Sequence, residues 1–176
     1  FGRWGVNYIY GTGAVLPAFE ALDKDMSNAL VRRAVDWLLG HQNEDGGWGE
    51  SCASYADPSL AGQGPSTASQ TGWALMALMA AGELKHNSVT RGLEYLTDSQ
   101  QEDGTWDEPW FTGTGFPGYG VGQKLKKAPQ HGDLKFQGAE LPAGFMINYH
   151  LYRNYWPLMA LGRFKRCVEE GVTKST

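Results

Sequence analysis

The chain has 176 residues, 41% of them hydrophobic, 12% aromatic and 19% charged, which fits one packed domain or a large part of one and excludes a disordered tail or linker. Its net charge of −4 gives no basic field for a phosphate backbone, so nucleic acid is an unsuited partner. Cys52 and Cys167 stand far apart without a CxxC spacing, which argues against a disulfide framework or a zinc knuckle, and the most apolar run, residues 73–82, falls well short of the ~20 residues that span a bilayer, which leaves a monotopic membrane protein open.

The first expected element is an apolar helix over residues 10–22, YGTGAVLPAFEAL. A charged turn follows at DKDM, 23–26, and Asp23 and Asp25 there read as surface and cap residues. Leu30, Val31, Ala34, Val35, Trp37 and Leu38 then recur at helical spacing, with Ser27 as the expected N-cap. This amphipathic helix ends in QNEDGGWGE, residues 42–50.

A more apolar helix is expected over 66–82, STASQTGWALMALMAAG, whose Thr71-Gly72 echoes Thr12-Gly13 in the first. Next comes a second amphipathic helix carrying Val89, Leu93, Tyr95 and Leu96 behind Ser88 as N-cap, and it ends in QQEDGTWDE, residues 100–108. Laid over itself at an offset of 58 residues, the chain matches from residues 34–50 to 92–108, so a whole structural unit repeats. The Gly- and Lys-containing stretch 119–144 reads as an inserted loop, and 145–164 as a third apolar helix.

An apolar helix must be buried all round, while an amphipathic one needs a wet face. Alternation of the two kinds predicts an all-α fold with concentric layers, an α/α barrel of the α6-α6 type, here as a partial barrel. Three inner and two outer helices form an open arc, and the expectation is that more chain lies upstream of Phe1. In the repeated loop, the Gln amide is expected to bond backbone at a neighbouring helix end, the Gly to turn the chain and the Trp to cover the junction from outside. Asp45, Asp103, Glu50 and Glu108 repeat with that loop and read as turn and cap residues rather than as catalytic acids.

The Gln-x3-Gly-x-Trp loops at 42–48 and 100–106 resemble the QW repeats of triterpene cyclases. The segments GRWGVNYIYGTGAV (2–15), GGWGESC (46–52), STASQTGWALMAL (66–78), DEPWFTGTGFPG (107–118) and YRNYWPLMALGRF (152–164) are similar, in order, to C-terminal segments of the bacterial squalene-hopene cyclase family. The resemblance implies that residues 1–176 are the C-terminal part of the barrel of a monotopic isomerase. That enzyme protonates squalene and passes the resulting carbocation through successive rings to hopene or hopanol.

Carried over by position, Phe116 and Phe145 are implied to stabilise ring-forming cations, the second those of the later rings. Tyr10 is implied to belong to the hydrogen-bond network behind the catalytic acid. Trp4 would line the substrate channel, Ile147 shape the cavity, and Tyr149 and Tyr152 brace its wall. The resemblance further implies squalene as substrate and the rest of the cyclase chain and a membrane surface as partners. It allows a homodimer, places the protein on the cytoplasmic side of a bacterial cell membrane, and calls for no metal or organic cofactor.

The family's Asp-x-Asp-Asp acid motif has no counterpart here, since Met26 ends the nearest candidate; it is expected upstream. Two other classes compete. A zinc-dependent prenyltransferase would use Glu50 and Cys52 with a histidine, but His41, His86, His131 and His150 lie in no matching motif. A helical-repeat binding scaffold would explain the Trp loops but not the aromatic residues around Phe116 and Tyr149.

Overall fold

The computed structural model describes residues 2–55, 57–115, 140–141, 144–147 and 149–173. Among the described residues five α-helices carry the fold: α1 (Tyr8–Ala21), α2 (Ala29–Gly40), α3 (Ala68–Ala80), α4 (Asn87–Asp98) and α5 (Tyr152–Thr173). Three short strands, β1 (Gly113–Gly115), β2 (Glu140–Leu141) and β3 (Gly144–Ile147), form an antiparallel sheet in the order β1-β3-β2.

The layering follows from burial. Helix α3 is buried over its whole length apart from Met76, because it packs between α1 and α5 and also touches α2 and α4. On α2 the buried residues are Val31, Val35 and Leu38, and on α4 Val89, Gly92 and Leu96, single stripes of the kind an outer helix presents. Glycine sets how closely the inner helices approach. A Cβ on Gly13 would stand 2.7 Å from Cβ of Trp73, and one on Gly72 would stand 2.9 Å from the backbone of Trp156. The Thr-Gly echo is thus the contact point of α1 with α3 and of α3 with α5.

Both Trp loops close onto their own helix. Trp48 Nε1 donates to Leu38 O and Trp106 Nε1 to Leu96 O, each at 2.8 Å, so each ring is tied to a carbonyl in the last turn of its helix. Both rings are buried, so the Trp is a core residue reached from a loop rather than a cover on the outside. Gln42 Nε2 donates to Gly46 O at 2.7 Å and across to Ser88 O, in the first turn of α4, at 2.8 Å.

The structure corrects several expectations. Ser27 and Ser88 are not the N-caps: Asn28 accepts from Leu30 N and His86 from Ser88 N, while Ser27 is held by Asp25. The third apolar helix does not begin at residue 145. Residues 144–147 are strand, and α5 starts only at Tyr152 and runs to Thr173. The backbone of the Gly-rich stretch 113–115, beside the buried Thr112 and Thr114, needs hydrogen-bond partners, and β3 supplies them. The mostly helical architecture therefore carries a small sheet in addition. The expected inserted loop falls largely outside the described residues, and of it Glu140, Leu141 and Gly144 belong to strands.

Candidate functional site

Tyr10 and Tyr152 sit near the N-terminal ends of α1 and α5 and Trp73 near the middle of α3, and side-by-side packing of the three helices brings their rings together. Tyr10 meets Trp73 edge-on at 5.0 Å between centroids, and Trp73 meets Tyr152 edge-on at 5.8 Å. Tyr149 continues the row at 4.6 Å from Tyr152, and Trp156 closes on both Trp73 and Tyr152. Edge-to-face rings at these distances attract one another beyond their buried area. Burial raises the pKa of Tyr10 and of Tyr152, so both hydroxyls stay protonated at neutral pH.

The segment before α1 forms the other side. Gly5 bridges Gly113, Val6 N donates to Thr112 O, and Thr114 N donates to Trp4 O. The Tyr152 hydroxyl also donates to Trp4 O at 3.3 Å, while the Trp4 side chain is 51% exposed. Buried Tyr55 ties this segment down by donating to Gly2 O at 2.7 Å. On β3 the register sets Phe145 opposite Gly115 and Ile147 opposite Gly113. Phe116 lies outside the described residues. Of the residues singled out in the sequence, Trp4, Tyr10, Tyr149 and Tyr152, together with the backbone of Phe145 and Ile147, belong to these adjoining elements.

Two buried glutamates, 58 residues apart, hold the helix ends beneath the site. Glu50 Oε2 accepts from Asn7 N and Ile9 N at the start of α1. Glu108 accepts from Ser69 N and Oγ at the start of α3 and from Thr112 Oγ1. Burial raises the pKa of Glu108 against the pull of these donors. A carboxyl acceptor at a helix start satisfies orphan N–H groups and offsets the positive end of the helix dipole. Both glutamates are caps, as the repeat suggested, and Asp45 and Asp103 are turn residues that accept from Gly47 N and Thr105 N.

Gln70 is fully engaged between these parts: its amide donates to Val6 O and Glu50 O and accepts from Glu50 N and Thr67 Oγ1. Cys52 is buried with its thiol on Phe111 O, and burial pushes its pKa up to about 12. Among the described residues no three His, Cys, Asp or Glu side chains gather as metal ligands, and no helix is long and apolar enough to cross a membrane. Asp23 and Asp25 lie on the exposed turn, where Ser27 lowers the pKa of Asp25.

Sequence reasoning missed Trp73, Tyr55, Gln70 and Asn7. For Trp73 a signal existed, since it directly follows the Thr71-Gly72 echo that marks where inner helices touch. Tyr55 and Asn7 act through loop geometry that no periodicity encodes.

The chain matches the squalene-hopene cyclase C-terminal domain family over residues 1–125 and 120–166. It is 47% identical to the squalene-hopene cyclase of Alicyclobacillus acidocaldarius over 169 residues, 96% of this chain and 23% of that protein. It is 44% identical to a probable squalene-hopene cyclase of Sinorhizobium fredii over 94% of this chain and 22% of that protein. A dammaradiene synthase of Dryopteris crassirhizoma is 38% identical over 99% of this chain and 24% of its own length. The chain thus spans about a quarter or less of the length of the relatives it matches.

Proposed function

The chain belongs to the squalene-hopene cyclase family through its C-terminal domain, and from that premise we propose that it forms part of the cavity wall of a cyclase converting squalene to hopene or hopanol. The observation that carries this reading is the continuous aromatic row Tyr10–Trp73–Tyr152–Tyr149 across three inner helices. A polyene cation needs electron-rich surfaces that do not trap it covalently, and a desolvated aromatic face contributes up to ~2 kcal/mol each. Water must also stay out until the last step, which favours an apolar cavity.

In this reading Phe116 and Phe145 stabilise successive ring cations. Trp4 lines the path of the substrate, Ile147 shapes the cavity, and Tyr149 and Tyr152 back its wall. Tyr10, a neutral donor, hands a proton back toward the acid. That acid is an Asp-rich motif supplied by another part of the cyclase, while Glu50 and Glu108 serve here as helix caps. Their acceptor oxygens counter the positive ends of α1 and α3, which would otherwise disfavour a cation nearby. The enzyme sits on one membrane face, and residues 1–176 act within the barrel rather than alone.

Phe116→Ala in a complete cyclase carrying this segment tests the assignment. Products with fewer rings than the parent's are expected at unchanged melting temperature. A normal pentacyclic profile from a folded variant removes Phe116 from the reaction.

A further inference from the structure

Helix α1 starts differently from α2 and α3. At the N-cap of α2 the Asn28 side chain accepts from Leu30 N, and at that of α3 the Thr67 side chain accepts from Gln70 N. Asn7 holds the same place before α1, yet its side chain makes no such bond. The carboxylate of Glu50, brought in from the first Trp loop, takes Asn7 N at 3.2 Å and Ile9 N at 2.8 Å instead. An acceptor from elsewhere satisfies the orphan donors of the helix start as well as a local one does, so the Asn7 amide is released from capping.

That amide closes a loop. Asn7 Oδ1 accepts from Gly2 N at 2.9 Å, which joins the two ends of residues 2–7, and Nδ2 donates to the buried Ser54 Oγ at 3.0 Å. The loop is tightly wound, since a Cβ on Gly2 would stand 2.2 Å from Gly5 O. A Cβ on Gly5 would stand 2.4 Å from Cδ2 of Tyr10 and 2.8 Å from Cη2 of Trp73, so the loop backbone lies directly against the aromatic row. Trp4 is carried between these two glycines, and its carbonyl accepts from the Tyr152 hydroxyl.

We infer that Asn7 is a positioning residue for the reaction: by closing the loop 2–7 it fixes where Trp4 stands relative to Tyr10 and Trp73, and so how tightly an apolar polyene is held. The inference rests on the reading above in which Trp4 lines the path of the substrate. Both polar ends of the Asn7 amide are engaged within the protein, and Asn7 is 1% exposed, so it acts through Trp4 rather than on the substrate. Tyr55 still holds Gly2 O and Gly5 O when the amide is removed, so its loss loosens the loop without detaching it.

Steady-state kinetics on squalene, with a complete cyclase carrying this segment, test the inference through Asn7→Ala, Trp4→Ala and the double variant. Asn7→Ala should raise KM about tenfold with kcat little changed, the pattern of lost binding rather than lost transition-state stabilisation. In the Trp4→Ala background it should add little, because residues that act through one contact are not additive. Ser54→Ala, which removes only the anchor of the amide, should raise KM in the same direction by less, and it decides the matter if Asn7→Ala does not fold. A parental KM in folded Asn7→Ala, with or without a lower melting temperature, would overturn the inference. So would a parental KM in Ser54→Ala where Asn7→Ala does not fold, or effects of Asn7→Ala and Trp4→Ala that multiply in full. A Trp4→Ala enzyme with parental kinetics would instead overturn the reading of Trp4 on which the inference rests.

Discussion

Gly72→Ala places one methyl where two inner helices touch. Its Cβ would stand 2.9 Å from both the carbonyl carbon and oxygen of Trp156 and 3.1 Å from Pro157 N. These are backbone atoms of α5, which cannot swing aside as a side-chain tip can, so α5 must shift as a body. Overpacking of this kind costs about 1–3 kcal/mol, and the gain from replacing a helical Gly by Ala offsets ~1 kcal/mol. Gly11 in α1 and Gly162 in α5 have nothing within 4 Å of their Cβ positions, so there the propensity gain stands alone. For a chain of this size, about 2–4 °C per kcal/mol, thermal melts should show Gly72→Ala below the parent by a few degrees and both controls above it. Near-ultraviolet circular dichroism should change in Gly72→Ala alone, because the Trp73–Tyr152 and Trp73–Trp156 contacts cross the same seam. A Gly72→Ala protein as stable as the controls would refute the claim that this glycine sets the α3–α5 spacing.

Gln42→Ala and Gln100→Ala should differ although their loops are equivalent. The first loses bonds to Gly46 O and Ser88 O and should cost about 1–2 kcal/mol, the second only a surface bond worth ~0.5 kcal/mol or less, read from urea melts. Trp48→Phe, which removes buried ring volume and the indole bond to Leu38 O, a carbonyl that keeps the amide of His41, should cost about 1–3 kcal/mol in the same assay. The raised pKa of Glu108 means that the folded state holds this proton more tightly than the unfolded one. Its contribution is present below the ordinary value of 4.5 and is lost as pH rises through the folded pKa. Glu108→Gln should therefore flatten the fall in stability measured as pH rises above 4.5; an unchanged profile would assign that fall to other groups.

The sequence made the repeat legible because it is written in residues with narrow physical roles. Gln, Gly and Trp at fixed spacing mark a helix end, and Thr-Gly pairs mark where inner helices meet. The aromatic residues near the start of α1 and α5 were singled out through the family resemblance, which set Tyr10 apart from Tyr149 and Tyr152, whereas the structure places them in one row. What was not legible depended on contacts distant in sequence. Nothing local to residues 144–147 says that they pair with 113–115, since a short apolar run fits helix or strand equally. Capping was misjudged by one or two residues because Asp25 captures Ser27, and Ser88 already lies within α4 with its N–H held by the His86 ring. Glu50 and Glu108 were read as caps from repetition alone, but the helices they serve, α1 and α3, emerge only from the three-dimensional arrangement.

The central claim is that this segment furnishes a working part of a cyclase cavity. The most direct measurement replaces the matching C-terminal segment of the Alicyclobacillus acidocaldarius squalene-hopene cyclase, 47% identical, by residues 1–176 and analyses the products from squalene by gas chromatography and mass spectrometry. Pentacyclic hopene or hopanol from the chimera is the predicted result, with truncated products appearing when Phe116 or Phe145 is changed to Ala in it. A chimera that folds to the melting temperature of its parent yet leaves squalene unreacted would contradict the account.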